Sequence, residues 1–167
     1  MEKTRPLEDV LLYENHDLVR HFALKKKIEI KESRFLFNEV KKMLWFMAQR
    51  DKSAPPFVIF AEQNMMDDFW HEFILVTKDY HYFCEKYFGR YIHHIPQLDG
   101  IAMDGSGFGI PTSLATTDKK KYIAAKLALL RNVMLEVSAA LGPDTVKVWY
   151  EDLPKKYFYP FYEAASR

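Results

Sequence analysis

The run "MDDFWHEFILVTKDYHYFCEKYFGRYIHHIP" (residues 66–96) decides the fold. Tyr80, Phe83, Cys84, Tyr87 and Phe88 recur at i, i+3, i+4, i+7 and i+8, which draws one apolar stripe along a helix. Met66, Phe69, Trp70 and Phe73 draw a second stripe in the segment before Val76–Thr77. A half-buried strand would alternate apolar and polar residues, and neither segment does. The spacing therefore predicts an antiparallel helical hairpin that turns near Val76–Thr77. Its second helix ends at Gly89, the residue type favoured just past a helix C-terminus. The same run holds four of the six histidines and the single cysteine.

The flanks read as more helix. Thr4 and Pro6 suit the start of a helix over 5–27, with Leu7, Val10, Leu11, Leu18 and Phe22 on its apolar side. "KKKIEIKES" (25–33) interrupts, either as a solvated helix end or as a short extended connector. Ser33 suits the cap of a helix over 34–50 that carries Phe35, Leu36, Val40, Met43, Leu44 and Met47. Pro55 and Pro56 break the chain, and "FVIF" (57–60) reads as a short strand or a buried loop. Asn64 then caps the first helix of the hairpin. The segment "QLDGIAMDGSGFGIPT" (97–112) reads as one long glycine-rich loop. A last helix over 117–141 shows Ile123, Leu127, Leu130, Met134, Val137 and Leu141 at the steps of a helix seam. Gly142-Pro143 stops it, and the aromatic tail "VKVWYEDLPKKYFYPFYEA" is expected to pack back on the rest. The expectation is all-α: residues 1–167 as a single-domain helical bundle of five main helices, with a central hairpin and a glycine-rich loop.

Composition narrows the function. With 24 basic and 23 acidic side chains among 167 residues, charge gives no push toward nucleic acid or a membrane, and neither is expected as a partner. No stretch reaches the ~20 apolar residues of a spanning helix. One cysteine cannot close an internal disulfide, so a cytoplasmic protein is the expectation. A protein partner is left open.

Four residues of the hairpin carry chemistry. Asp67 and His71 share a face of its first helix, flanking the core. Cys84 lies level with them in the second helix, each about 7.5 residues from the turn at ~1.5 Å per residue. After Gly89 the chain can reach back far enough for His94 to join them. Asp67, His71, Cys84 and His94 are ligand types that suit tetrahedral zinc, and they are the expected metal set within a buried polar cluster. The competing reading keeps Cys84 as a small core thiol and His71 as a hydrogen-bond donor to Asp67. "HEFIL" (71–75) lacks the second histidine of the metalloprotease helix, which removes that mechanism.

The motif Asp67-x-x-Trp70-His71, with Leu75, Tyr80, Cys84, Gly89 and His94 after it, resembles the core pattern of the glycine-rich domain-containing-protein-like family. The resemblance covers residues 64–96 and implies that Asp67, His71, Cys84 and His94 are the shared polar positions. It implies little about activity. Phe73 stands where plant members of that family carry a second histidine, so a ligand set needing that histidine does not carry over.

Two function classes follow. One is a structural or binding module held together by the cluster, with or without zinc. The other is a metal-assisted hydrolase, with Asp67 or Glu72 as base. A Cys84–His94 nucleophilic dyad is disfavoured, because an apolar stripe is the wrong setting for a thiolate. "DGSGFG" (104–109) lacks the context of a phosphate loop, and Asp99 and Asp104 lack calcium-loop spacing. Lys25–Lys27 and "DKKKY" (118–122) read as solvated surface.

Overall fold

The computed structural model describes residues 4–50, 57–94 and 118–160. Among them there is no β-strand, and the all-α expectation holds. The helices are α1 (Leu7–Leu11), α2 (His16–Lys26), α3 (Ile30–Gln49), α4 (Asn64–Leu75), α5 (Thr77–Phe88), α6 (Lys119–Leu141) and α7 (Pro143–Lys147). Beyond α7 the chain continues in widened turns of π type over Val148–Asp152 and Pro154–Phe158. None of the described helices is long and apolar enough to cross a membrane. The glycine-rich stretch 97–112 and the Pro55-Pro56 break lie outside the described residues.

Several boundaries differ from the sequence reading, each for a local reason. The expected first helix is two, because the Asn15 side chain accepts from Leu18 N–H and starts α2 afresh. The connector after α2 is only a short link, with Glu29 in the extended region. Lys27 takes the left-handed conformation at φ 54°, closes α2, and lets α3 begin at Ile30. Ser33 is therefore inside α3 rather than capping it, and its buried hydroxyl donates to the Val19 carbonyl of α2. Asn64 is the first residue of α4, entered through a 3-10 turn over Ala61–Gln63. In that turn Gln63 Oε1 accepts from Phe60 N–H at 2.9 Å.

The core is built on rings. Phe22 of α2, Phe37 of α3 and Phe69 of α4 meet with centroids 4.3 and 5.1 Å apart. Tyr13 reaches Phe37, Phe73, Phe83 and Tyr87 from the loop between α1 and α2. Each fully buried ring of this kind contributes about 2–3 kcal/mol, which outweighs the order lost in fixing it. α3 is central, touching α1, α2, α4 and α6.

Buried charge is hydrogen-bonded. Glu39 of α3 accepts from Trp149 Nε1 at 2.8 Å and from Lys42 Nζ at 2.8 Å, which ties the C-terminal turns to α3. Lys41 is buried and donates to the carbonyls of Leu11 and Tyr13, both at 2.7 Å, closing the end of α1. The tail does pack back, with Trp149 and Leu153 in the core. The seam expected along α6 is only half used. Of its members Val137 is buried and Leu130, Met134 and Leu141 are partly covered, whereas Ile123 and Leu127 face solvent, and Val133 beside the seam is buried.

Candidate metal centre

The hairpin forms as its spacing predicts. α4 and α5 meet at Val76, and Gly89 at φ 61° ends α5 in the left-handed region that glycine enters without strain. Arg90 then donates to the carbonyls of Met47 and Ala48 at the end of α3, at 3.2 and 3.1 Å. From there the chain runs back along the hairpin to His94.

A buried relay fixes that return. Tyr80 of α5 donates its hydroxyl to the Ile92 carbonyl at 2.6 Å, and Trp70 Nε1 of α4 donates to the same hydroxyl at 2.9 Å. The Trp70 ring also packs edge-on to His94, with centroids 4.5 Å apart. Burial pushes the Tyr80 hydroxyl far above its ordinary range, so it stays a neutral donor. Sequence reasoning placed Tyr80 and Trp70 in the core but did not assign them this task. The available signal was chemical, since a buried phenol or indole needs a polar partner.

Three of the four expected residues come together. Asp67, His71 and His94 each offer a ligand atom, and these atoms lie within 4.8 Å of one another. His94 Nε2 is 3.0 Å from Asp67 Oδ1. His71 Nδ1 is 2.9 Å from the Asp67 backbone oxygen and 3.5 Å from its Oδ2. A carbonyl oxygen can only accept, so this bond places a proton on His71 Nδ1 and leaves Nε2 as the nitrogen able to bind a metal. That is the usual support of a metal-binding imidazole, whose far nitrogen donates to a carbonyl or carboxylate. The two imidazole rings lie tilted at 51° to each other with centroids 4.2 Å apart.

The cluster is less buried than the sequence reading placed it. The side chains of His94, Asp67 and His71 are 15, 31 and 46% exposed. The cause is position on α4, where Asp67 and His71 sit beside the apolar stripe of Phe69, Trp70 and Phe73 rather than within it. Cys84 falls outside the group of three. It is fully buried, beside the Tyr80 hydroxyl and the Ile92 backbone, and burial pushes its thiol up, which keeps it protonated. Glu72 is engaged elsewhere. Lys25 Nζ at 2.6 Å and His21 at 2.9 Å hold it, and the lysine lowers its carboxyl below the ordinary range. Each of its two oxygens is therefore held by a residue of α2.

A family profile described as UCP032817-like matches residues 14–107, more than half of the chain. The chain belongs to the UCP032817-like family. This corrects the resemblance to the glycine-rich domain-containing-protein-like family, which rested on residues 64–96 alone, whereas the UCP032817-like match runs from the loop before α2 past His94. All three members of the Asp67–His71–His94 group lie inside the UCP032817-like match. No curated protein and no solved structure shows a match to the chain.

Proposed function

We propose that the chain is a helical binding module that holds one zinc-class divalent cation between Asp67, His71 and His94. The observation that carries this reading is the Asp67–His94 approach at 3.0 Å with a ligand atom of His71 within 4.8 Å of both. Tetrahedral zinc takes nitrogen and carboxylate oxygen at roughly 2.0–2.2 Å, which sets ligand atoms roughly 3.4 Å apart, so atoms already within 4.8 Å of one another need only small shifts, the Asp67–His94 pair opening slightly. The ion would replace the proton shared by Asp67 and His94 and clamp the segment after Gly89 to α4. Cys84, the fourth residue of the expected set, is left as a core thiol in this reading. A single unpaired, protonated thiol fits a reducing, cytoplasmic setting. The bond from Trp149 to Glu39 supports treating residues 1–167 as one helical domain.

A second reading rests on the exposure of His71. Three protein ligands leave a fourth position open to water, which is the arrangement of a metal-assisted hydrolase. The binding reading is preferred, because among the described residues Glu72 and Cys84, the other candidates for acid–base or nucleophilic work, are engaged or buried.

Calorimetric titration of chelator-treated protein with zinc tests the proposal. One ion per chain is expected, with binding lost in Asp67→Ala and His94→Ala. Absence of saturable binding to the unmodified chain removes it. Hydrolysis of activated esters or phosphoesters that needs the ion would favour the second reading.

A further inference from the structure

The long helix α6 makes a poor surface for a free protein. Of its 23 residues only Val133 and Val137 are buried. Ile123, Leu127 and Leu135 are 46, 59 and 60% exposed. On a 3.6-residue repeat Leu127, Arg131 and Leu135 climb one outward face, with Ala124 and Ala128 beside them. Leu127, Ala128, Arg131, Asn132 and Leu135 line a shallow cleft there, in which Ala128 is the smallest side chain.

Charge on this helix is one-sided. Lys119, Lys120, Lys121, Lys126 and Arg131 meet no acid within residues 119–135, and Glu136 is bonded to Arg50. Lys121 pairs with Asp118, whereas Lys119, Lys120, Lys126 and Arg131 have no ion-pair partner among the described residues. Three lysines in a first helical turn also face the positive pole of the helix dipole, a repulsion that the Asp118 carboxylate at the N-cap offsets in part.

We infer that the outer face of α6 is a docking surface for an acidic amphipathic helix of a partner protein. Leucines of the partner would fill the cleft beside Ala128, and its carboxylates would meet Lys120 and Arg131, which share the azimuth of Leu127 and Leu135. A second copy of this chain fits badly, since pairing α6 with itself sets five cations against five. An anionic membrane fits less well too, because the exposed residues of α6 include no Trp or Phe to seat at an interface.

The test uses the full chain and a labelled synthetic helix with leucine at i, i+3, i+4 and i+7 and glutamate elsewhere. Fluorescence anisotropy is expected to show saturable binding that weakens at least about tenfold in Leu127→Glu and in Arg131→Glu. Binding should also fall when salt rises from ~0.05 to ~0.5 M. Circular dichroism should be unchanged in both variants, whose substituted positions face solvent. No binding, equal binding of a scrambled peptide, or equal binding by the variants overturns the inference. So does patch-dependent binding to phosphatidylserine vesicles in place of the peptide, or a dimer in sedimentation that Leu127→Glu dissolves. Maleimide labelling of Leu127→Cys, with unmodified protein as blank for buried Cys84, should run as fast as on a free peptide thiol. Slow labelling would mean that the chain covers this face itself, and would overturn it equally.

Discussion

His94 Nε2 sits 3.0 Å from Asp67 Oδ1, a contact between two residues 27 positions apart that ties the segment after α5 to the first turn of α4. It is the point at which the hairpin's local geometry becomes a site.

The two histidines should respond differently to substitution. His94 is mostly covered and bonded to Asp67, so His94→Ala should cost about 1–2 kcal/mol in chemical denaturation without metal. His71 stands nearly half exposed, so His71→Ala should cost no more than about 0.5 kcal/mol. With zinc present the two should converge, because either change removes a ligand and with it the metal's stabilisation. Equal losses with and without zinc would separate the cluster from any metal.

Tyr80→Phe removes one oxygen that serves two partners. Trp70 Nε1 loses its acceptor and the Ile92 carbonyl loses its donor, both inside the core. Stranding them should cost about 2 kcal/mol in urea unfolding. Because Ile92 is two residues before His94, zinc affinity should drop about tenfold or more as well. A Tyr80→Phe protein that is destabilised yet binds zinc as before would show that the relay supports only the core.

Glu72 gives an acid-sensitive clasp between α2 and α4. Its folded pKa is lowered by Lys25 and then by His21, so its contribution is complete above the ordinary carboxylate pKa and is lost as pH falls through the lowered value. Glu72→Gln should cost under about 1 kcal/mol near neutrality, since His21 and Lys25 are more than half exposed and screened. The difference from the unmodified chain should vanish in strong acid. A difference that persists there would assign the effect to packing.

The hairpin was legible because stripes at helical spacing and a glycine at residue 89 are local signals. Convergence of Asp67 and His71 followed from one helical turn, and that of His94 from the length of chain after Gly89. Cys84 was misplaced for a reason that height along a helix does not capture. Matching level with Asp67 says nothing about azimuth, and a thiol centred on the stripe of Phe83 and Tyr87 points into the core. The split of α1 from α2 hid in Asn15, whose capping side chain looks in sequence like any polar residue of a longer helix. On α6 the heptad of apolar residues was real, but periodicity does not say how much of a seam finds a partner within the same chain.

Lys41 supplies a prediction at alkaline pH. Burial among the rings of α3 pushes its pKa down to about 8, against 10.5 for the free side chain, although the carbonyls of Leu11 and Tyr13 accept its hydrogens. Below pH 8 the ammonium is charged in both folded and unfolded chains, and stability does not change with pH on its account. Between pH 8 and 10.5 the unfolded chain holds a proton that the folded chain has released, so stability rises with pH in that window. The gain should approach about 2 kcal/mol by pH ~10, where Tyr13, Tyr80 and Tyr150, all with raised pKa values, begin to act in the opposite direction. Lys41→Met should abolish the rise and leave the Leu11 and Tyr13 carbonyls without their donor, lowering stability near neutrality by about 1–3 kcal/mol. Urea unfolding of both proteins at a series of pH values checks this, and a flat or falling curve for the unmodified chain from pH 8 to 10 would show that the two carbonyls hold the charge in place.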